Sequence, residues 1–275
     1  MSEERLKKKL LILGVAFILV FFMVPFLWMI IVSFCDKPDF LVTKGFSLTL
    51  KNYRDVLTSE NLYFVQYLRN SFIISFVAGL SGALIGAFAA YGISRFAFRG
   101  KMLIVLGVLA LSMFPQISIV GYLYKIMTIL GWINTYQALV FPYIALSLPL
   151  ALWILLGYFS QIPVEIDRAA LVDGASRMQT LTRIILPLSL PGFIAAVLLL
   201  FMFSFNEFMF ALMLTSDYKA RTVPVGIALF QGLHGEIPWG NIMAASVLSC
   251  VPVMLIALFA QRYIVQGLTG GAVKE

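Results

Sequence analysis

QIPVEIDRAALVDGASRMQTLTRIILPLSLPG, residues 161–192, interrupts two long apolar stretches with charge, capping residues and punctuation found nowhere else in the chain. Its spacing predicts two short helices joined by a sharp corner. Pro163 suits a first helical turn and Gly174 a left-handed helix end. Ser176 restarts the chain, and Gln179 three residues on completes a capping box that satisfies the first free N–H groups of the second helix. Pro187 and Pro191 close it. Ile166, Ala169 and Ala170 share a face of the first helix, and Met178, Leu181, Ile184 and Ile185 form a stripe on the second. Glu165, Asp167, Arg168, Asp173 and Arg177 fall mostly elsewhere. Each helix is shorter than the roughly 12 residues at which an isolated helix is even marginal in water, so packing must hold them. The segment reads as a socket for another protein, outside the bilayer.

The rest of the chain is built for lipid. Of 275 residues 61% are apolar and 12% charged, far from the usual globular values, so the chain reads as an integral membrane protein. The net charge of +7 lies in short clusters between apolar runs and forms no basic stripe, which argues against nucleic acid. Cys35 and Cys250 match no metal spacing, and the single histidine, His234, excludes a zinc site built on several imidazoles. MSEERLKKKL leads into an apolar run from Leu10 to about Phe34. That run is too long for a cleaved signal and lacks an A-x-A site, so it reads as an uncleaved first span.

Hydropathy at a window of about 19 residues predicts six spans, near 10–34, 68–92, 102–124, 136–159, 188–215 and 242–264. An even number puts both termini on one side. That side, with the even loops, holds Arg5, Lys7, Lys8, Lys9, Arg95, Arg99, Lys101, Arg168, Arg177, Arg183, Arg262 and Lys274, twelve of the twenty basic residues. The positive-inside rule therefore puts the termini and the 160–187 loop in the cytoplasm. Residues 35–67 and 216–241 become outer loops, with 1–9 and 265–275 as cytoplasmic tails.

Within the spans, Ala78, Gly82, Gly86 and Ala90 make a ladder of small residues four apart, suited to close helix approach. The ladder does not say whether the facing helix belongs to this chain or to another subunit. Pro115, Pro142, Pro149 and Pro252 favour kinks. Glu207, preceded by Asn206, is the one acidic residue well inside a span. At about 2.5 to 3.5 kcal/mol on insertion scales it requires a partner or a wet cavity. It is either a pathway residue or, if the span breaks there, a cap near the outer interface.

No energy source is encoded. The nearest approach to a phosphate loop, GISRFAFRGKM, has Gly92 and Gly100 too far apart and Met102 where Ser or Thr is needed. No Ser, His and Asp constellation can be placed either, and a single carboxylate without visible inverted repeats argues against an ion-coupled carrier. These residues describe a channel-former with a helical docking element, and any uphill work must arrive through that element.

The docking element resembles the EAA loop of permease subunits in binding-protein-dependent ABC importers, a Glu-Ala-Ala, three residues, Gly, then Ile-x-Leu-Pro. Ala169, Ala170, Gly174 after Asp173, and Ile184, Leu186 and Pro187 match it. Arg168 departs from it, standing where the pattern has Glu. SFNEFMFAL and the stretch from PWGNIMAAS to the carboxyl end extend the likeness over nearly the whole chain, toward the MalG-type subunit of maltose- and trehalose-type sugar importers.

The resemblance implies an all-α integral membrane protein with six transmembrane helices, the type I ABC importer permease fold, and cytoplasmic coupling helices. It implies residence in the cell inner membrane as half of a sugar translocation pathway. The partners it implies are a second homologous permease subunit, two ATP-binding subunits and an extracytoplasmic sugar-binding protein, with no nucleic acid. ATP and Mg would be held by the ATP-binding subunits, with no cofactor and no catalysis in this chain. Glu165, Asp167, Arg168, Ala169, Ala170, Asp173, Gly174 and Ser176 would couple to the ATPase, and Asn206 and Glu207 are the candidate solute pathway. Leu229, Phe230, Gln231, Gly232, Leu233, His234, Gly235 and Glu236 would enter the binding protein. Gly267, Leu268, Thr269, Gly270 and Gly271 of the tail would, by the resemblance, reach toward the ATPase dimer, although by their own composition they read as a frayed end. The competing readings are an ABC permease for a non-sugar solute, an ion-coupled carrier acting without an ATPase, and a membrane scaffold.

Overall fold

A computed structural model describes residues 3–36, 47–230 and 237–269, and among them there is no strand beyond a single bridge between Cys35 and Leu48. The helices are α1 (Glu3–Ser33), α2 (Lys51–Thr58), α3 (Phe64–Arg95), α4 (Lys101–Leu111), α5 (Ile117–Ile129), α6 (Tyr136–Gln161), α7 (Val164–Val172), α8 (Arg177–Thr180), α9 (Leu186–Leu188), α10 (Leu190–Phe205), α11 (Met209–Leu214), α12 (Val223–Ala228) and α13 (Trp239–Thr269), with a π-helical turn over Leu181–Ile185 between α8 and α9.

The chain divides into two compact units. The smaller comprises residues 1–64 and 227–251. Its α1 exposes Leu10, Phe17, Phe21 and Val24, a surface that only lipid or another apolar helix can cover. What is buried is the end of α1. The Asn52 amide donates to the carbonyls of Ser33 at 2.9 Å and Cys35 at 2.7 Å, closing helix-end acceptors that have no intrahelical donor. The Ser33 and Tyr53 hydroxyls share a 2.6 Å hydrogen bond beside them.

The larger unit, residues 65–226 and 252–275, is organised by α3, α6 and α10. The small-residue ladder on α3 packs within this chain. A Cβ at Gly86 would stand 2.7 Å from the Ala151 Cβ of α6, and one at Gly82 would stand 2.8 Å from Leu200 of α10. Ala83, Ala87 and Ala90 meet Leu152, Leu155 and Phe159 in one apolar cluster. A second cluster gathers Ile74, Tyr143, Phe210 and Leu214. The glycine contacts beside the first cluster bring α3 close to its neighbours, where dispersion contacts are dense.

Among the described residues, four helical stretches are long and apolar enough to cross a membrane: Leu6–Ser33, Phe64–Arg95, Tyr136–Gln161 and Trp239–Phe259. The stretches expected as the third and fifth spans are not continuous helices. At 102–124 the helix stops at Leu111 and restarts at Ile117, because Pro115 has no N–H to carry the ladder onward and restricts the residue before it. At 188–215 the preceding helix and α10 meet at an 84° bend, and α10 ends at Phe205 before α11 begins. By contrast α6 runs unbroken past Pro142 and Pro149. The last helix continues through Thr269, so Gly267, Leu268 and Thr269, read from the sequence as part of a cytoplasmic tail from residue 265, are helical.

Substituting Leu for Gly86 should therefore lower the thermal midpoint of the detergent-solubilised protein by several degrees, since overpacking costs about 1 to 3 kcal/mol. The control is Gly92→Ala, where nothing lies within 4 Å and no loss is expected.

Candidate functional site

The corner between α7 and α8 is fixed by its own backbone. Gly174 has φ +86°, a region that side chains disfavour. The turn donates Ala175 N–H to Ala170 O at 2.9 Å and Gly174 N–H to Leu171 O at 3.1 Å, the paired bonds of a Schellman end. Two residues later the capping box forms in full. Ser176 N–H donates to Gln179 Oε1 at 2.8 Å, and Gln179 N–H donates to Ser176 Oγ at 3.3 Å. One helix is thus closed and the next opened within four residues, leaving almost no slack. The π turn follows, and at its far end the buried Ser189 hydroxyl donates to Ile185 O at 2.7 Å, satisfying a carbonyl beside the 84° bend.

The charges of α7 separate onto two sides. Asp167 turns inward. Its Oδ2 lies 2.8 Å from Nε of Arg95, with both side chains almost completely buried, and its Oδ1 accepts from the Tyr91 hydroxyl at 3.0 Å. The Nε–H does not align as a hydrogen bond to Oδ2, so the contact is chiefly coulombic. Nη2 of Arg95 instead donates to Ile162 O at 2.9 Å, taking up a carbonyl between α6 and α7. The Arg177 guanidinium stacks 5.4 Å from the centre of the Phe96 ring, tying the start of α8 to the end of α3. The last turn of α3 thus holds the whole corner.

Glu165, Arg168, Ala169 and Asp173 face outward. Arg168 and Glu165 stand 3.9 Å apart with about three-quarters of each side chain exposed, a pair worth little in water. Val172 at 86% and Met178 at 56% exposure add uncovered apolar surface on the same corner. Met178, expected on the buried stripe, is therefore outside it, while Leu181 and Ile185 are inside. Sequence reasoning grouped Asp167 with the outward charges and missed Arg95 and Tyr91 altogether. An arginine ending a long apolar helix was the available signal.

Glu207 sits at the break between α10 and α11, 8% exposed. Its Oε1 accepts from Phe210 N–H at 2.8 Å. Its Oε2 accepts from Ala211 N–H at 3.1 Å and from the Tyr143 hydroxyl at 2.7 Å. The carboxylate therefore caps α11, where the helix dipole favours negative charge. Asn206 is exposed, and its amide donates to Met202 O at 2.8 Å. Of the residues expected to enter a binding protein, Leu229 ends exposed and Phe230 buried, while Gln231–Glu236 lie outside the described residues, as do Gly270 and Gly271.

A second polar knot lies between the end of α5 and the segment after α11. Asn134, at φ +62°, accepts from the N–H groups of Ser216 and Asp217 and donates to Asp217 Oδ1 at 2.9 Å. That hydrogen bond, with one from Lys219 N–H, holds the Asp217 carboxyl below its ordinary range. Asn70, fully buried on α3, donates to Tyr218 O and Arg221 O and accepts from Tyr136.

Long apolar helices and broken apolar stretches describe a membrane-embedded protein that carries a rigid corner with an uncovered face. Residues 82–270 match the family described as binding-protein-dependent transport system inner membrane component. The chain is 56% identical to the trehalose/maltose transport system permease protein MalG of Thermococcus litoralis, over all of this chain and 99% of that one. It is 38% identical to the trehalose permease SugB of Mycobacterium tuberculosis, over 92% of each. A chain of a bacterial ABC transporter involved in import of the acidic polysaccharide alginate superposes with a TM-score of 0.77 at 19% identity, covering 96% of this chain and 98% of that one. The chain belongs to the binding-protein-dependent transport family, as one of its inner membrane components, and has the fold of an ABC importer permease.

Breaking the buried pair at one end should be costly. Asp167→Leu leaves Arg95 buried and uncompensated, and a destabilisation of about 3 to 5 kcal/mol is expected, read as a fall in the thermal midpoint. Removing both partners with Arg95→Met and Asp167→Leu should recover most of the loss. The Asp217 knot predicts a pH dependence. Its folded value is lowered, so its stabilisation is complete above the ordinary aspartate range and is lost as pH falls through the lowered value. Asp217→Asn should flatten the acid limb of thermal midpoint against pH.

Proposed function

We propose that this chain is one of two permease subunits of an ATP-driven importer of a neutral sugar of the trehalose and maltose type, coupled to its ATPase through the α7–α8 corner. The observation that carries the solute class is the 56% identity over the full chain to the trehalose/maltose permease, supported by the trehalose permease at 38%. The coupling role rests on the corner's build. A short, doubly capped helix pair with Val172 and Met178 uncovered and charges of both signs beside them fits a protein cleft better than an anionic lipid surface.

In this reading the helix has two faces with different work. Glu165, Arg168, Ala169 and Asp173 meet an ATP-binding subunit, which supplies ATP, Mg and hydrolysis. Asp167 faces the other way and passes the displacement to α3 through Arg95. Gly174 and the Ser176 cap keep the two short helices moving as one body. Arg168, replacing the acidic residue of the pattern, presents a positive group to the cleft with Glu165 one turn away.

The six-span topology counts the four long helices, the α4–α5 pair and the bent α10 stretch, with both termini and the corner cytoplasmic by the distribution of Lys and Arg. The outer segment around Leu229–Glu236 meets the sugar-loaded binding protein. Gly267–Gly271, near the carboxyl end, reach toward the ATPase dimer. Alternation between inward- and outward-open states follows closure of that dimer.

The test is ATP-dependent uptake of maltose and trehalose by the complex of both permeases, the ATPase and the binding protein in proteoliposomes. Uptake by this chain without an ATPase would contradict the proposal. Gly174→Leu, strained by about 1 to 2 kcal/mol at its positive φ, should cut uptake tenfold or more while the complex still assembles and hydrolyses ATP. Normal coupling would contradict the role of the corner. Deleting Leu229 to Glu236 should reduce uptake and spare basal ATPase, and unchanged uptake would count against that contact.

A further inference from the structure

Three helix ends enclose a cavity of about 570 Å³ beside the corner. Ser94 and Arg95 come from the end of α3, Ser160 and Gln161 from the end of α6, and Lys101 and Met102 from the start of α4. α3 and α6 are both long and apolar enough to cross a membrane, and their last residues lie where such a helix leaves the hydrocarbon. The cavity therefore stands at the bilayer boundary. Its volume is within the range of small-molecule sites.

Its lining changes character with depth. Lys101 and Gln161 stand at helix ends. Val105 lies four residues into α4 and Trp153 eight residues back from the end of α6, about 6 Å and about 12 Å further along their helices. Met102 and Leu156 complete the apolar part. Met102 and Trp153 are each 64% exposed, so this part reaches the outer surface of the protein, where Leu103 and Leu106 of α4 are exposed as well. The polar part is positive, and no Asp or Glu lines the cavity. Arg95 is committed to Asp167 and to the Ile162 carbonyl. The Ser94 and Ser160 hydroxyls donate to carbonyls of their own helices. Lys101 forms no ion pair among the described residues, and neither does Arg99 two positions before it. An exposed ammonium at the mouth of an apolar slot on the bilayer boundary matches one ligand chemistry, a phosphate ester that carries hydrocarbon chains. A soluble phosphate fills only the rim, and a neutral lipid leaves the charge unmatched.

We propose that this cavity holds one anionic phospholipid, with Lys101 paired to the headgroup phosphate, Arg99 adding to the positive field, and an acyl chain in the slot formed by Met102, Val105, Leu156 and Trp153. Arg95, Ile162 and Val164 line the same space, so the lipid braces α4 against the joint of α6 and α7. The site does not depend on which solute is carried, since neither Asn206 nor Glu207 lines it.

Phosphatidylglycerol and phosphatidylcholine, each carrying a diazirine on one acyl chain, are the probes. Each is added at the same low content to phosphatidylcholine vesicles that hold the intact transporter complex, irradiated, and the labelled peptides identified by mass spectrometry. Phosphatidylglycerol is expected to label residues 101–105 and 153–156 about fivefold or more over phosphatidylcholine, the scale of a single Lys or Arg acting on an anionic lipid. The exposed stretch of α1 at residues 17–24 should show no such preference. Lys101→Gln combined with Arg99→Gln should bring the ratio in the cavity close to one, and Lys101→Arg should keep it. Equal labelling by the two lipids in the unaltered complex overturns the site, as does a ratio that the double substitution leaves unchanged. Absence of label there, the result if another subunit covers the cavity, overturns it too. Label lost to excess inorganic phosphate identifies a free-anion site and overturns the lipid. If the double variant does not assemble, the ratio in the unaltered complex decides alone.

Discussion

The buried contact between Arg95 and Asp167 is the constraint on which the arrangement of this molecule turns. Two charges almost completely withdrawn from water are expensive, and a single pair in that setting rarely adds net stability over an apolar replacement. What it supplies is a defined geometry. The guanidinium reaches one way to the carboxylate on α7 and another to the Ile162 carbonyl just before it, so a nine-residue helix that could not persist in isolation is fixed at both its start and its middle. Tyr91, one turn earlier on α3, takes the second carboxylate oxygen. The charge that looks available for docking is thereby committed inward, and the outward face is left to residues whose bonds to one another are weak.

This division has mechanical consequences. α3 carries the small-residue ladder that seats it against α6 and α10, so a displacement delivered to α7 enters the most closely packed part of the larger unit. Close packing is poorly compressible and transmits strain over distance. Elsewhere in that unit the helices are interrupted, with Glu207 capping the helix that follows one break.

Much of this was legible in the residues, where local rules decide the outcome. The left-handed Gly174, the Ser176 and Gln179 box and the four-residue ladder each follow from chemistry within a few positions, and each stands as read. The pairing of Arg95 with Asp167 was not legible. The partners are far apart in the chain, and periodicity does not say which of the two carboxylates on a short helix turns inward. Pro115 was visible as a breaker, but hydropathy averaged over about 19 residues smooths a five-residue gap into one span. Glu207 shows the same limit. Its cost in lipid was clear, but the two backbone N–H groups that compensate it exist only because the helix ends there.

The central claim is that α7 and α3 move as one body because of the buried pair. It is tested most directly by pulsed electron paramagnetic resonance on the assembled importer. Spin labels would be placed at the exposed positions Val172 and Phe88 after replacement of Cys35 and Cys250, and distances recorded without nucleotide and with ATP under non-hydrolysing conditions. The account predicts one narrow distance that is the same in both states, and a broadened, state-dependent distribution when Arg95→Met and Asp167→Leu are combined. A distance that changes between states with the pair intact would contradict it.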